Sequence, residues 1–103
     1  MFVIHYTKGA AKRLRRTMPP RIRGAAQSTL NRLAKDPYEI PPDGKGSWQK
    51  VWGSPNHWHV NLPEGWRLCY TIMHDELGVP FVLVLFVGTH REYDHKYGFR
   101  PSG

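Results

Sequence analysis

The chain has 103 residues, 40% of them apolar and 13% aromatic, enough for one small core and too few for a second independently folding unit. The longest apolar run, Phe81 to Val87, is far short of the roughly 20 residues of a membrane-crossing helix, and the single cysteine, Cys69, has no internal disulfide partner. The opening residues lack the charged lead and apolar stretch of a secretory signal, so one cytoplasmic domain over 1–103 is expected, with no membrane partner.

Fifteen Lys and Arg against eight Asp and Glu give a net charge of +7, and that charge is uneven. Residues 1–51 hold eleven basic and three acidic side chains, whereas residues 52–103 hold four and five. Histidine is skewed the other way: five of the six lie in the second half. A basic half points to a polyanionic partner, nucleic acid or acidic protein. A histidine-rich half points to proton transfer or metal.

In chain order, Phe2 to Tyr6 alternates and predicts a first strand, with His5 in a structural role between core positions. Ala10, Ala11, Leu14 and Met18 then recur at helical spacing with four cations between them. Pro19-Pro20 ends this helix and opens a second, whose stripe is Ile22, Ala26, Leu30 and Leu33/Ala34 and which stops at Pro37. Residues 8–36 thus predict a basic helical hairpin. Residues 36–47, with three Pro and two Gly, predict a loop. Four strands are expected after it: Trp48–Trp52, His57–Leu62, Trp66–Met73 and Phe81–Val87. The last is apolar on both faces, as an interior strand is, and places Leu85 in the core.

The pair around Pro63-Glu64-Gly65 carries the most information. A three-residue loop sets Leu62 opposite Trp66, Val60 opposite Leu68 and Trp58 opposite Tyr70, all on one apolar face. The other face then pairs Asn61 with Arg67, His59 with Cys69 and His57 with Thr71. A slip by one residue mixes the two sets, so the pattern fixes its own register. The helical hairpin is the available cover for the apolar face, which leaves His57, His59, Asn61 and Arg67 on an open one. The expected class is α+β: an N-terminal strand and helical hairpin packed on one face of a small, mainly antiparallel sheet.

After the last strand comes Gly88-Thr89-His90-Arg91-Glu92-Tyr93-Asp94-His95-Lys96-Tyr97, dense in proton-handling side chains. The segment resembles the C-terminal THxEYD motif of HigB-type toxins in the RelE/ParE superfamily; related YafQ-type toxins also end a core strand in Gly-Thr-His. His57, then Val60-Asn61-Leu62, a Gly-containing turn and Arg67 are similar to the HigB hairpin that places Asn before the turn and Arg after it. The order of elements fits along nearly the whole chain. The resemblance implies a RelE-like fold and the toxin of a type II toxin–antitoxin system. It implies a cognate antitoxin, often acidic, as protein partner, and for HigB and RelE relatives ribosome-dependent cleavage of mRNA against ribosomal RNA. RelE-like enzymes use several Lys and Arg where this chain offers mostly His, and ParE-like members poison DNA gyrase without nuclease activity. A ParE-like inhibitor and a non-catalytic RNA- or ribosome-binding module are therefore the alternatives.

Metal-independent RNA cleavage needs a base for the 2′-OH, an acid for the leaving 5′-oxygen and a cation at the phosphorane. Histidine serves either proton role near neutral pH, and Arg offers a fixed fork to phosphate. The expected catalytic set is His90 and Asp94 in proton transfer, Arg67 on the scissile phosphate, and His59 and Tyr93 in support. Which histidine is the acid stays open. His57, Asn61, Lys50, Arg91 and Tyr97 are the expected RNA-binding set, with Tyr93 or Tyr97 stacking on a base. No cofactor is expected. A zinc site from His57 and His59 with His90 or Asp94 is the metal alternative.

Overall fold

The computed structural model describes residues 1–38, 48–50 and 57–97, with backbone alone at 48–50 and 97. Strand β1 (Ile4–Tyr6) leads into α1 (Lys8–Lys12), a π-helical turn (Arg13–Thr17) and the long helix α2 (Pro20–Lys35). Then come β2 (Trp48–Lys50), β3 (His57–Asn61), β4 (Trp66–His74), β5 (Pro80–Thr89) and α3 (His90–Tyr97). One five-stranded sheet runs β1-β5-β4-β3-β2, with β1 parallel to β5 and the other neighbours antiparallel. The α+β class and mainly antiparallel sheet are as expected.

The helical hairpin forms for the reasons read from its sequence. Thr7 caps α1, its Oγ1 accepting from the Ala10 amide at 3.2 Å. Pro20 sits in the first turn of α2, and the stripe Ile22, Ala26, Leu30 and Leu33 is buried. The first helix differs from expectation in being widened over Arg13–Thr17, where the Met18 amide donates to the Arg13 carbonyl at 3.2 Å. Pro19 forces Met18 out of the α region, and the helix ends in the wide turn. Ala10 and Met18, on either side of it, are both buried.

These helices cover the face carrying Val60, Leu62, Trp66, Leu68, Tyr70, Val82, Val84 and Val87, with Trp58 and Ile72 packed at its margin. The register of β3 on β4 is the one expected, Asn61 on Arg67 through His57 on Thr71. At the turn Gly65 takes φ 78° and Glu64 takes φ 58°, a left-handed conformation that Gly adopts without the steric cost a side chain brings. Strand β2 is described over Trp48–Lys50, so the predicted remainder, Val51-Trp52, lies outside the described residues, as does 39–47 of the loop.

Two expectations need correction. The pairing of β4 with β5 shifts between Cys69 and Tyr70: Cys69 faces Phe86 but Tyr70 faces Val84. Leu85 is the extra residue, a half-buried bulge position outside the main core cluster. Its carbonyl accepts from Thr7 Oγ1 at 3.2 Å, which satisfies a group the ladder leaves over. His5 is exposed at the sheet edge rather than set among core residues, its ring edge-on to Phe81 at 5.0 Å.

Candidate active site

The bulge sets up the site. Below it Val82 and Val84 face the helices; beyond it Val87 does so, and Phe86 and Gly88 fall on the opposite side with Cys69 and Arg67. Gly88 pairs with Arg67, so the end of β5 lies beside that guanidinium's strand position. A Cβ on Gly88 would stand 2.6 Å from Cζ of Phe86 and 3.1 Å from Oε1 of Glu92, so any side chain there would have to displace the Phe86 ring.

Helix α3 starts at once, through a capping box at Thr89 and Glu92. Glu92 Oε1 accepts from the Thr89 amide at 2.9 Å and from Thr89 Oγ1 at 3.0 Å, and the Glu92 amide donates back to Thr89 Oγ1 at 3.3 Å. Arg13 Nη2 donates to the same Oε1 at 2.6 Å. The Thr89 amide above all holds the Glu92 carboxyl below its ordinary value; burial opposes it, and the Thr89 hydroxyl and the Arg13 guanidinium add smaller lowering effects.

The helix lays Tyr93 on the sheet, packed with Cys69 and Phe86. Its Oη lies 3.3 Å from Nδ1 of His59, with the rings edge to face at 5.2 Å. Cζ of Arg67 sits 4.5 Å from the Tyr93 ring centroid, a cation–π contact. One turn of helix brings His90 Nε2 within 3.1 Å of Asp94 Oδ2. His90 is the more exposed of that pair, 54% against 21%.

The face expected to be open is therefore partly roofed by α3. His59 is only 5% exposed. Burial first, then the nearby Arg67 and His90, push its pKa down to about 4, so at neutral pH it is uncharged. Burial likewise raises the Tyr93 phenol, which keeps its proton. His59 and Tyr93 are thus a packed, neutral pair beneath the site. The groups that reach the surface are His90, backed by Asp94, and the half-buried Arg67. His90 and Asp94 can hand a proton between them and a ligand; Arg67 offers a fork to an anion.

The remaining predicted residues spread around this centre. His57 is half-buried, paired with Thr71 farther along β3. Asn61 is exposed beside Arg67, and Arg91 is exposed on the first turn of α3. The side chains of Lys50 and Tyr97 lie outside the described residues. His57 Nδ1, His59 Nε2, Asp94 Oδ1 and Arg13 Nε are buried without a hydrogen-bond partner among the described residues. Among the described residues no three His, Cys, Asp or Glu side chains stand close enough to hold a metal ion. Sequence reasoning missed Glu92 and Arg13. Glu92 was findable, because Thr-x-x-Glu directly after a strand is the signature of a capping box.

No protein-family model matches this sequence, and no curated protein sequence matches it. A solved structure does: a YoeB/ParE toxin from Agrobacterium tumefaciens, 13% identical, with a TM-score of 0.68 over 86% of this chain and 99% of that one. The strand, helical hairpin, antiparallel strands and closing helix described above are thus similar, over nearly all of their length, to the fold of that toxin.

Proposed function

We infer that the chain is the toxin of a type II toxin–antitoxin pair, acting as a ribosome-dependent, metal-independent mRNA endonuclease. The observation that carries this is the placement of Arg67, seated on the Tyr93 ring, and the His90–Asp94 pair around the same two residues, His59 and Tyr93, at the end of β5. In this reading Arg67 holds the scissile phosphate and neutralises charge developing on it. His90, oriented by Asp94, exchanges a proton with the 2′-OH or the leaving 5′-oxygen. His59 and Tyr93 support Arg67 from below, and Asn61 and Arg91 flank the RNA. The cations of the helical hairpin give a salt-sensitive surface for ribosomal RNA.

An acidic antitoxin is the second partner. An apolar groove of about 400 Å³ between the two helices, lined by Tyr6, Ala11, Leu14 and Leu30 and edged by Arg15 and Arg23, suits an acidic amphipathic segment.

The test is expression in growing cells with transcripts mapped. Cuts within codons that need ribosomes support the reading; arrested cells with intact transcripts reject it. A ParE-like inhibitor of DNA gyrase is favoured by one half of the structural neighbour's name and by the withdrawal of His59 from solvent. It predicts DNA-damage signalling while translation continues. A non-catalytic RNA- or ribosome-binding module needs the basic hairpin but not His90.

A further inference from the structure

Arg13 is an unusual cation in the basic hairpin. It lies in the widened turn after α1, with 29% of its side chain exposed. Its Cζ is 5.0 Å from the ring centroid of Trp66, its Nη2 is 2.6 Å from Glu92, and its Nε is buried with no partner among the described residues. A half-buried ion pair between distant elements adds little to stability, because desolvation offsets most of its attraction. It is a good way to fix a geometry.

Glu92 is what it fixes. That one carboxylate oxygen gathers the Thr89 amide, the Thr89 hydroxyl and Arg13, in the space left by the absent Cβ of Gly88. Helix α3 is only eight residues long, and Tyr93 anchors it further along on Cys69, Phe86 and His59. Glu92 and Tyr93 both hold the helix on the sheet, and His90 and Asp94 are carried by the same short helix.

We propose that Arg13 is a positioning residue of the site: through Glu92 it clamps the first turn of α3, and so sets where His90, Tyr93 and Asp94 stand relative to Arg67. The proposal rests, for its catalytic meaning, on the nuclease reading above. It also makes the helical hairpin, remote from His90 in sequence, a mechanical part of the site.

The test uses Glu92→Gln, Arg13→Met and Arg13→Lys in the full chain. Gln at position 92 still serves a capping box but loses the ion pair, so it isolates the clamp from the cap. Two readouts are independent of any activity: the titration of the His59 imidazole by NMR, and amide exchange across α3. The charged or titratable groups that face His59 among the described residues are Arg67, His90, the Tyr93 phenol and, cross-strand from His59, the Cys69 thiol. Removing the Glu92 anion by charge alone would push the His59 midpoint further down. Loosening α3 would let water reach His59 and move the midpoint up from about 4. The signs are opposite, so Glu92→Gln decides.

The expected result is an upward shift of about one unit in Glu92→Gln and Arg13→Met, about tenfold faster exchange in α3 with β4 and β5 unchanged, and a return toward wild type in Arg13→Lys. RNA cleavage should fall by about tenfold or more in the first two, in kcat rather than KM. If Arg13→Met does not fold, Glu92→Gln carries the same decision. A folded Glu92→Gln with a His59 midpoint at or below that of wild type and unchanged exchange in α3 overturns the proposal. If both readouts move and the wild-type chain cleaves no RNA, the clamp stands and the nuclease reading falls.

Discussion

Tyr93 joins the two halves of the site: its hydroxyl lies 3.3 Å from Nδ1 of His59, and its ring lies beneath the Arg67 guanidinium, 4.5 Å from centroid to Cζ. The platform for the cation is therefore built on a buried imidazole. That arrangement separates the residues that do chemistry from those that hold them, and single substitutions can tell them apart.

His90→Ala and Arg67→Ala should each remove toxicity and slow cleavage by about 10²–10⁴-fold with the fold intact. His90 is exposed and Arg67 is half-buried at the surface, so neither change opens a cavity in the main core. Leu68→Ala is the contrasting control: Leu68 is fully buried, and its loss should lower stability by about 2–5 kcal/mol. Thermal melts run beside the cleavage assay separate the cases. Folded, fully toxic His90→Ala and Arg67→Ala would reject the site.

Tyr93→Phe keeps the ring beneath Arg67 and removes only the hydroxyl. It should cost about 1 kcal/mol of stability and leave cleavage within several-fold of wild type. Tyr93→Ala removes the platform and a 4% exposed side chain, and should cost about 3–5 kcal/mol and most of the activity. Equal activity losses in the two variants would mean that the hydroxyl itself takes part in the reaction.

Stability should fall as pH drops from 7 to 5. The folded chain holds His59 neutral down to about 4, whereas the unfolded chain takes up the proton near 6.5. Between those values the unfolded state binds more protons, so acid favours it, by about 2 kcal/mol between pH 7 and pH 5. Glu92, lowered in the fold, acts in the same direction at more acid pH, its contribution present above its unfolded value and lost as pH falls through its folded one. Urea unfolding of the wild type and of His59→Gln measures this. A slope in that window unchanged by His59→Gln would assign it to another group.

Gly88→Ala should destabilise by about 1–3 kcal/mol and impair cleavage together. The new methyl meets the Phe86 ring, which is itself packed with Tyr93 and Cys69, and crowds Glu92 Oε1. Melts and helix content report whether the first turn of α3 frays. A neutral result would show that Phe86 turns aside freely.

Several of these features were legible in the sequence, for a physical reason. The β3–β4 register follows from strict alternation bounded by Pro63 and Gly65, and α2 follows from a stripe bounded by Pro20 and Pro37. The roof over His59 was not legible. Tyr93 alternates with nothing, and a short helix shows its direction of approach only in three dimensions. The bulge was hidden because Phe81 to Val87 is apolar at every position, so a change of parity leaves no mark on the pattern.

That hidden step in β5 makes strand length a constraint separate from side-chain identity. Another apolar residue in place of Leu85 alters little, since the side chain is half-buried and its backbone carbonyl meets Thr7. Deleting the position is a different matter. It removes the extra residue, so Val84 opposite Tyr70 and Phe86 opposite Cys69 become neighbours in a regular ladder, and Phe86, Gly88 and the start of α3 keep their faces, with the loss of the carbonyl that meets Thr7. A further inserted residue has no such outlet and would turn over everything after it, so across any set of functional variants residues 80–89 should accept substitutions and a deletion at Leu85 but refuse single-residue insertions.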